Sequence, residues 1–405
     1  MKTCSLCGSP ESINRKIMEG ADICICKECF NICREEFEEL EFDTNPASTF
    51  KLSMKPHELV AKLDEFIIGQ AEAKEILSVA IYDHYKRINS KSKTTIQKTN
   101  IMLQGPTGSG KTYIMQCLAK VLNLPLVIVD ATTFTEAGYI GGNVEDILKK
   151  LYFKAGKNQE LAERGIVYID EVDKLKAKSG DGERDVNGLG VQQALLKIIE
   201  DSEVVVPIKE GMEKVELVMN TRNILFVAGG AFEGIDKIIK ARLTPSKSGG
   251  TIGFTPASAV KVAEVEISKV PTIIQADLLK FGFAPEFVGR IPIIARIEKL
   301  SKEELKDILT KPKDAIVKQY KELLKLDGVK ISFANEALDY IVDEAEKTNL
   351  GARGLKGVID KQMNHLMFEL PKYSTINKVI VTKRMLQGTK KDVEELVKTS
   401  QEGTI

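Results

Sequence analysis

The stretch Gly105-Pro106-Thr107-Gly108-Ser109-Gly110-Lys111-Thr112 restricts this chain more than any other. It matches G-x-x-x-x-G-K-[ST] and lies between the apolar run Ile101 to Leu103 and a helical pattern, the strand–loop–helix context that a phosphate-binding loop requires. Its glycines let backbone N–H groups turn inward on phosphate oxygens, and the following helix directs its positive end at them. Lys111 is then placed to reach the β and γ oxygens, and the Thr112 hydroxyl to hold Mg²⁺. A nucleotide and Mg²⁺ are the ligands this loop predicts, and many ATPases and GTPases share it.

Such a loop implies a parallel sheet around it, and the chain from about Leu59 supplies one. Short apolar runs at Ile101 to Leu103, Leu126 to Val129, Ile166 to Ile169, Asn223 to Val227 and Pro292 to Ile297 alternate with helical segments, which predicts an α/β fold with helices on both faces. The run Ile166 to Ile169 ends in Asp170-Glu171, and strand ends of a parallel sheet open onto the ligand crevice. Asp170 there can bind Mg²⁺, directly or through water, and Glu171 can polarise the attacking water.

The cysteines point to a second kind of chemistry. Six of the seven lie in the first 33 residues, and Cys4-x-x-Cys7 with Cys26-x-x-Cys29 has the spacing of a four-thiolate zinc site. A unit of about 40 residues is too small to fold on a core alone, so Zn²⁺ is expected to supply much of its folding free energy. Cys24 and Cys33 are left as buried or free thiols, because Cys24-x-Cys26 is a poor chelating pair.

The 58 basic and 58 acidic residues cancel, which disfavours general attraction to nucleic acid or to an anionic membrane. No apolar run reaches the roughly 18 residues of a membrane-spanning helix, and the first residues carry cysteines where a secretory signal carries a basic and then an apolar region. The expectation is a cytoplasmic protein with neither membrane nor nucleic acid as partner.

The organisation expected is a zinc-binding domain at 1–41, a linker at 42–58, a large ATPase domain at 59–300, a smaller mainly helical domain at 301–390 and a tail at 391–405. Helices are expected at Glu303 to Leu324 and Leu355 to Leu370, strands at Val329 to Phe333 and Lys378 to Thr382, and exposed loops at Asn89 to Thr99, Lys174 to Gly190 and Pro245 to Pro256.

From Cys4 to about Leu370 the motifs together resemble the ClpX family, the ATP-binding unfoldase subunits of the Clp protease within the AAA+ superfamily. The zinc cysteines, Ile67-Ile68-Gly69-Gln70, the phosphate loop continued by Tyr113, and Gly138-Tyr139-Ile140-Gly141 occur in the family's order. The resemblance implies nucleotide binding at Ile68, Gly69, Gln70 and Tyr113, and a pore loop in which Tyr139 and Ile140 grip substrate. It implies a second pore loop around Arg184, and docking of Ile252-Gly253-Phe254 on the ClpP peptidase. It further implies that Arg290 reaches nucleotide on a neighbouring subunit and that Arg353 senses nucleotide from the small domain.

The family's activity would be that of a homohexamer that unfolds tagged or unstructured proteins, received directly or through adaptors, and delivers them to ClpP. The chain departs from the family at Pro207 to Val218, where a basic pore-entrance loop is expected, and at Gly142, where relatives carry an acidic residue. Two alternatives stand beside this reading: a zinc-finger nucleic-acid remodeller, and a complex-remodelling ATPase without a peptidase.

Overall fold

The computed structural model describes residues 3–12, 16–19, 24–30, 54–90, 94–135, 142–176, 188–210, 213–243, 273–372 and 378–388. Tyr139, Ile140, Arg184, Ile252, Gly253, Phe254 and Cys33 lie outside the described residues.

At the N-terminus β1 (Ile17–Glu19) and β2 (Cys24–Cys26) form an antiparallel pair. The larger domain begins with α1 (Pro56–Asp64), so the last residues of the expected linker are already helical, Pro56 serving as a first-turn proline. There follow α2 (Ala71–Ile88), β3 (Ile101–Gln104), α3 (Lys111–Leu122), β4 (Leu126–Asp130), α4 (Asp146–Lys154) and β5 (Ile166–Asp170). The domain continues through α5 (Leu189–Ile199), β6 (Glu203–Glu210), β7 (Glu213–Asn220), β8 (Leu225–Gly230), α6 (Ile235–Leu243), α7 (Gln275–Phe281), α8 (Pro285–Gly289) and β9 (Ile293–Arg296).

Five of these strands make a wholly parallel sheet in the order β4-β5-β8-β3-β9. Successive side chains of a strand point to opposite faces, and both faces of the inner strands β5, β8 and β3 are covered, which is why those strands read as continuous apolar runs. Ile101, Leu103, Ile166, Tyr168, Leu225 and Val227 pack in one core with α1, α2 and α3. Met102, Val167, Ile169, Phe226 and Ala228 pack in a second core with α4 and α5.

The stretch where the family's pore-entrance loop is expected forms an antiparallel hairpin, with Glu203 paired to Asn220 and Glu210 to Glu213. Its alternating valines explain this: Val206, Ile208 and Met219 are buried against the second core, while the paired Val205 and Val218 face outward.

The smaller domain contains α9 (Lys302–Thr310), α10 (Ile316–Leu326), β10 (Lys330–Phe333), α11 (Asn335–Lys347), α12 (Ala352–Glu369), β11 (Lys378–Val381) and α13 (Lys383–Gln387), around a core of its own that includes Leu309, Ile341, Leu355, Ile359 and Leu366. The single helix expected over Glu303 to Leu324 is broken between α9 and α10. Pro312 removes a backbone donor and its ring crowds the preceding turn. Lys318 Nζ takes up freed acceptors, donating to the carbonyls of Lys311 at 2.8 Å and Pro312 at 2.7 Å. Among the described residues no helix is long and apolar enough to cross a membrane.

Candidate functional site

The phosphate loop follows β3, between β8 and β9 in the sheet. Gly105 N–H donates to the Gly230 carbonyl at 3.2 Å, which fixes the start of the loop to the end of β8. Gly108 and Gly110 hold φ of +76° and +99°, conformations that residues with a Cβ rarely adopt. Lys111 is buried and its Nζ donates to the loop's own carbonyls, Gly105 at 2.6 Å and Pro106 at 3.0 Å. Burial lowers its pKa, and the nearby carboxylates of Asp170 and Asp173 oppose that shift.

The second half of the site is the end of β5. Thr112 donates its hydroxyl proton to Asp170 Oδ2 at 2.8 Å, so the two groups expected to share a metal stand together. Asp170 Oδ1 accepts from Tyr168 OH at 3.2 Å and from Glu171 N–H at 3.0 Å, which leaves the carboxylate little freedom. A hydroxyl beside a carboxylate is a hard oxygen donor pair that suits Mg²⁺. Glu171 turns the chain with φ of +57° and lines the same cleft. Asp173, which sequence reasoning did not single out, is 3 % exposed and accepts from Ala231 N–H at 3.2 Å. It ties the turn after β5 to the turn after β8.

The cleft has a volume of about 590 Å³, and the smaller domain supplies part of its wall. Arg353, in the first turn of α12, lines it, as do Ile308 and Ile316. Tyr113 OH donates to Asp314 across the cleft, 2.8 Å from Oδ2 and 3.0 Å from Oδ1. Gln70 closes the opposite side by a two-way clamp: its Nε2 donates to the Glu298 carbonyl at 3.0 Å and its Oε1 accepts Glu298 N–H at 2.9 Å. Ile68 lines the cleft, and Gly69 passes so close to Glu304 that a Cβ would lie 2.1 Å from Oε1. Ile308, Ile316 and Asp314 carry no sequence motif, and only domain packing reveals them. The apolar wall and phosphate loop together fit a nucleotide, its base against the isoleucines and its phosphates at the helix end.

Arg290 caps α8 outside this cleft, with its side chain 58 % exposed. Its placement fits action on a neighbouring molecule and not on the cleft of its own chain.

At the N-terminus the Sγ atoms of Cys4, Cys7, Cys26 and Cys29 all lie within 4.8 Å of one another. Tetrahedral zinc with Zn–S of about 2.3 Å requires S–S edges of about 3.8 Å, and Cys7 and Cys26 are 3.8 Å apart. The donor set therefore fits the metal. The Cys26 N–H donating to Cys4 Sγ at 3.3 Å heads the causes that lower the Cys4 thiol to about 6. Neighbouring thiols push Cys29 up to about 12, since a crowd of thiolates needs a cation to coexist. Cys24 stands in β2 outside the cluster.

Comparison with known proteins finds two family models along the chain. Residues 96–294 match the model of the AAA domain (Cdc48 subfamily), and residues 300–383 match that of the C-terminal, D2-small domain, of ClpB protein. A protein of Borrelia duttonii (strain Ly), named ATP-dependent Clp protease ATP-binding subunit ClpX, is 43 % identical over 416 residues, covering 98 % of this chain and 93 % of its own. The protein of the same name from Borrelia recurrentis (strain A1) has the same identity and coverage. With that likeness covering 98 % of its length, this chain belongs to the ClpX family.

Proposed function

We propose that this chain works as a homohexameric ring that turns ATP hydrolysis into pulling force on a polypeptide and passes the unfolded chain to a ClpP peptidase. The observation that carries this reading is the cleft where Lys111, Thr112 and Asp170 of one domain meet Arg353 of the other. A site divided between two bodies changes shape when its contents change, so hydrolysis can rotate one domain against the other.

The roles follow from the chemistry of each side chain. The loop Gly105 to Tyr113 cradles the triphosphate, and Lys111 exchanges its contacts with the Gly105 and Pro106 carbonyls for charged phosphate oxygens. Thr112 and Asp170 would hold Mg²⁺, which when bound supplies charge neutralisation at the phosphates. Glu171 accepts a hydrogen bond from the attacking water, orients its oxygen toward the γ-phosphorus and receives its proton as the P–O bond to the leaving diphosphate breaks. Arg353 reports the nucleotide to the smaller domain, and Arg290 serves the site of the neighbouring subunit. Ile68, Gly69 and Gln70 form the wall beside the base.

Tyr139 and Ile140, with Arg184, are assigned to the pore, and Ile252-Gly253-Phe254 to the peptidase contact. An aromatic ring on a glycine-flanked loop can press on an extended chain of any sequence. The base of that loop is described: Gly142 N–H donates to the Thr133 carbonyl at 3.2 Å, and Gly142 pairs with Phe134. The cysteine unit, closed by Zn²⁺, is assigned to dimerisation and to capture of substrates or adaptors. The nucleic-acid alternative loses its ground, because the relatives that match nearly the whole chain are subunits of a protease.

The deciding experiment follows a tagged fluorescent protein with the purified chain and ATP, with and without ClpP. Loss of fluorescence that requires ATP supports the reading, as does breakdown that requires ClpP as well. ATP hydrolysis with no loss of fluorescence on any tagged substrate would overturn it.

A further inference from the structure

Arg290 is held at two points. Its carbonyl accepts from Asn100 Nδ2 at 2.9 Å, and Asn100, which is 3 % exposed, also accepts from Phe226 N–H through Oδ1 at 3.4 Å. The backbone of Arg290 is thereby fastened to β8, inside the sheet. Its side chain is held separately: Nε donates to Glu200 Oε1 at 2.9 Å.

The form of that second contact matters. A carboxylate that sequesters an arginine takes two of its nitrogens at once, as Asp277 takes Nε and Nη2 of Arg242. Glu200 takes Nε, and among the described residues the guanidinium makes no other hydrogen bond. The stem is therefore restrained while both Nη groups stay available in a fixed direction.

Glu200 in turn is firmly seated. It follows the last residue of α5, and its carbonyl accepts from Thr221 Oγ1 at 2.6 Å. Lys98, whose side chain is 5 % exposed, donates from Nζ to the carbonyls of Ile199 at 3.1 Å and Thr221 at 2.8 Å, and lies 4.7 Å from the centre of the Phe226 ring. The end of α5 and the base of the β6–β7 hairpin are thus joined to the same strand, β8, that anchors the Arg290 backbone.

We propose that Glu200 is a positioning residue for Arg290, aiming its guanidinium across the subunit boundary at the neighbour's nucleotide. This rests on the reading of Arg290 as a residue that acts in trans. Holding a long, freely rotating side chain in one direction before assembly removes an ordering cost from each catalytic encounter. Glu200 lies outside the cleft, so its effect falls on turnover and not on ATP affinity.

The test is a double-mutant cycle on steady-state ATP hydrolysis by the full chain. Arg290→Ala is expected to lower kcat by about a thousandfold, the scale of a lost arginine finger. Glu200→Ala is expected to lower it about two- to fivefold, the scale of an exposed ion pair, with KM unchanged. Glu200→Gln, which retains an acceptor of the same shape, is expected to recover part of that loss. The double variant Glu200→Ala/Arg290→Ala should be no slower than Arg290→Ala. Losses that multiply in the double variant, or a Glu200→Ala enzyme with wild-type kcat, would overturn the proposal while leaving the role of Arg290 intact. Should Glu200→Ala fail to fold, the same cycle is run with Glu200→Gln, and multiplied losses overturn the proposal there too. Wild-type hydrolysis by Arg290→Ala would overturn the trans reading itself, and the proposal with it.

Discussion

Ala352 donates its backbone N–H to the carbonyl of Gly108 at 3.0 Å, joining the first turn of the smaller domain's longest helix directly to the phosphate loop of the larger one. A Cβ on Gly108 would stand 1.9 Å from the Leu350 carbonyl oxygen, and φ there is +76°. The contact is possible because residue 108 is glycine.

Gly108→Ala is therefore expected to weaken ATP binding at least tenfold and to destabilise the junction by about 1–3 kcal/mol, the usual cost of a strained backbone with a close contact. Titration with a fluorescent ATP analogue and thermal melting check this, and unchanged affinity would contradict the junction described above.

Glu171→Gln should retain ATP binding and lose hydrolysis by at least about a hundredfold, the upper range for general base catalysis being higher still. The phosphate contacts are untouched by the change, while the group that accepts the water's proton is lost. Comparing nucleotide affinity with phosphate release in one preparation separates the two effects.

Tyr139→Ala should slow the unfolding of a tagged substrate by up to about tenfold while ATP hydrolysis is nearly unchanged, because an aromatic contact contributes roughly 0.5–1.5 kcal/mol. Equal loss of both activities would assign Tyr139 to the fold.

Cys26→Ser should reduce bound zinc to well below one ion per chain and unfold the N-terminal unit, since metal binding and folding are one equilibrium in so small a domain. Metal analysis and proteolysis of the N-terminus provide the readout, with ATP hydrolysis largely retained because the cleft lies elsewhere. Full zinc content in the variant would remove Cys26 from the ligand set.

His84 makes stability depend on pH. Burial, and then the charge of Arg87, depress its pKa to about 3, with Lys98 adding in the same direction. Its Nε2 lies 3.1 Å from the Asn223 carbonyl, a contact that the neutral ring makes as a donor. An unfolded histidine titrates near 6.5, so below that pH the unfolded chain binds a proton that the folded chain refuses. Stability should then fall as pH drops from about 6.5 toward 3, by up to about 1.4 kcal/mol per pH unit. Melting at pH 7.5 and 5.5 should show this loss in the wild type, and His84→Gln should reduce it.

Local spacing was enough for the chemistry. The strand–loop–helix at Gly105 to Thr112, the carboxylates after Ile169 and the paired thiols at Cys4/Cys7 and Cys26/Cys29 are recognisable because each is a short stretch whose residues act within a few positions of one another. The parallel sheet was legible too, since strands covered on both faces must be apolar throughout. Pro312 also carried a signal, although the amphipathic period on either side of it masks the break between α9 and α10.

Other features belong to tertiary structure. The alternation of Val204 to Ile208 becomes a hairpin only because a core is present to bury Val206 and Ile208. Asp314, Ile308 and Ile316 reach the cleft because the smaller domain, folded on a core of its own, is fastened to the larger one by contacts such as that of Ala352 N–H with the Gly108 carbonyl. The pairing of Glu200 with Arg290 spans 90 positions, and no local period encodes it. The sequence by itself determined which groups can bind nucleotide and metal, because short-range spacing sets that chemistry. Which distant residues surround and aim those groups was decided by the tertiary structure, because only the packing of segments far apart in the chain brings them within hydrogen-bond reach.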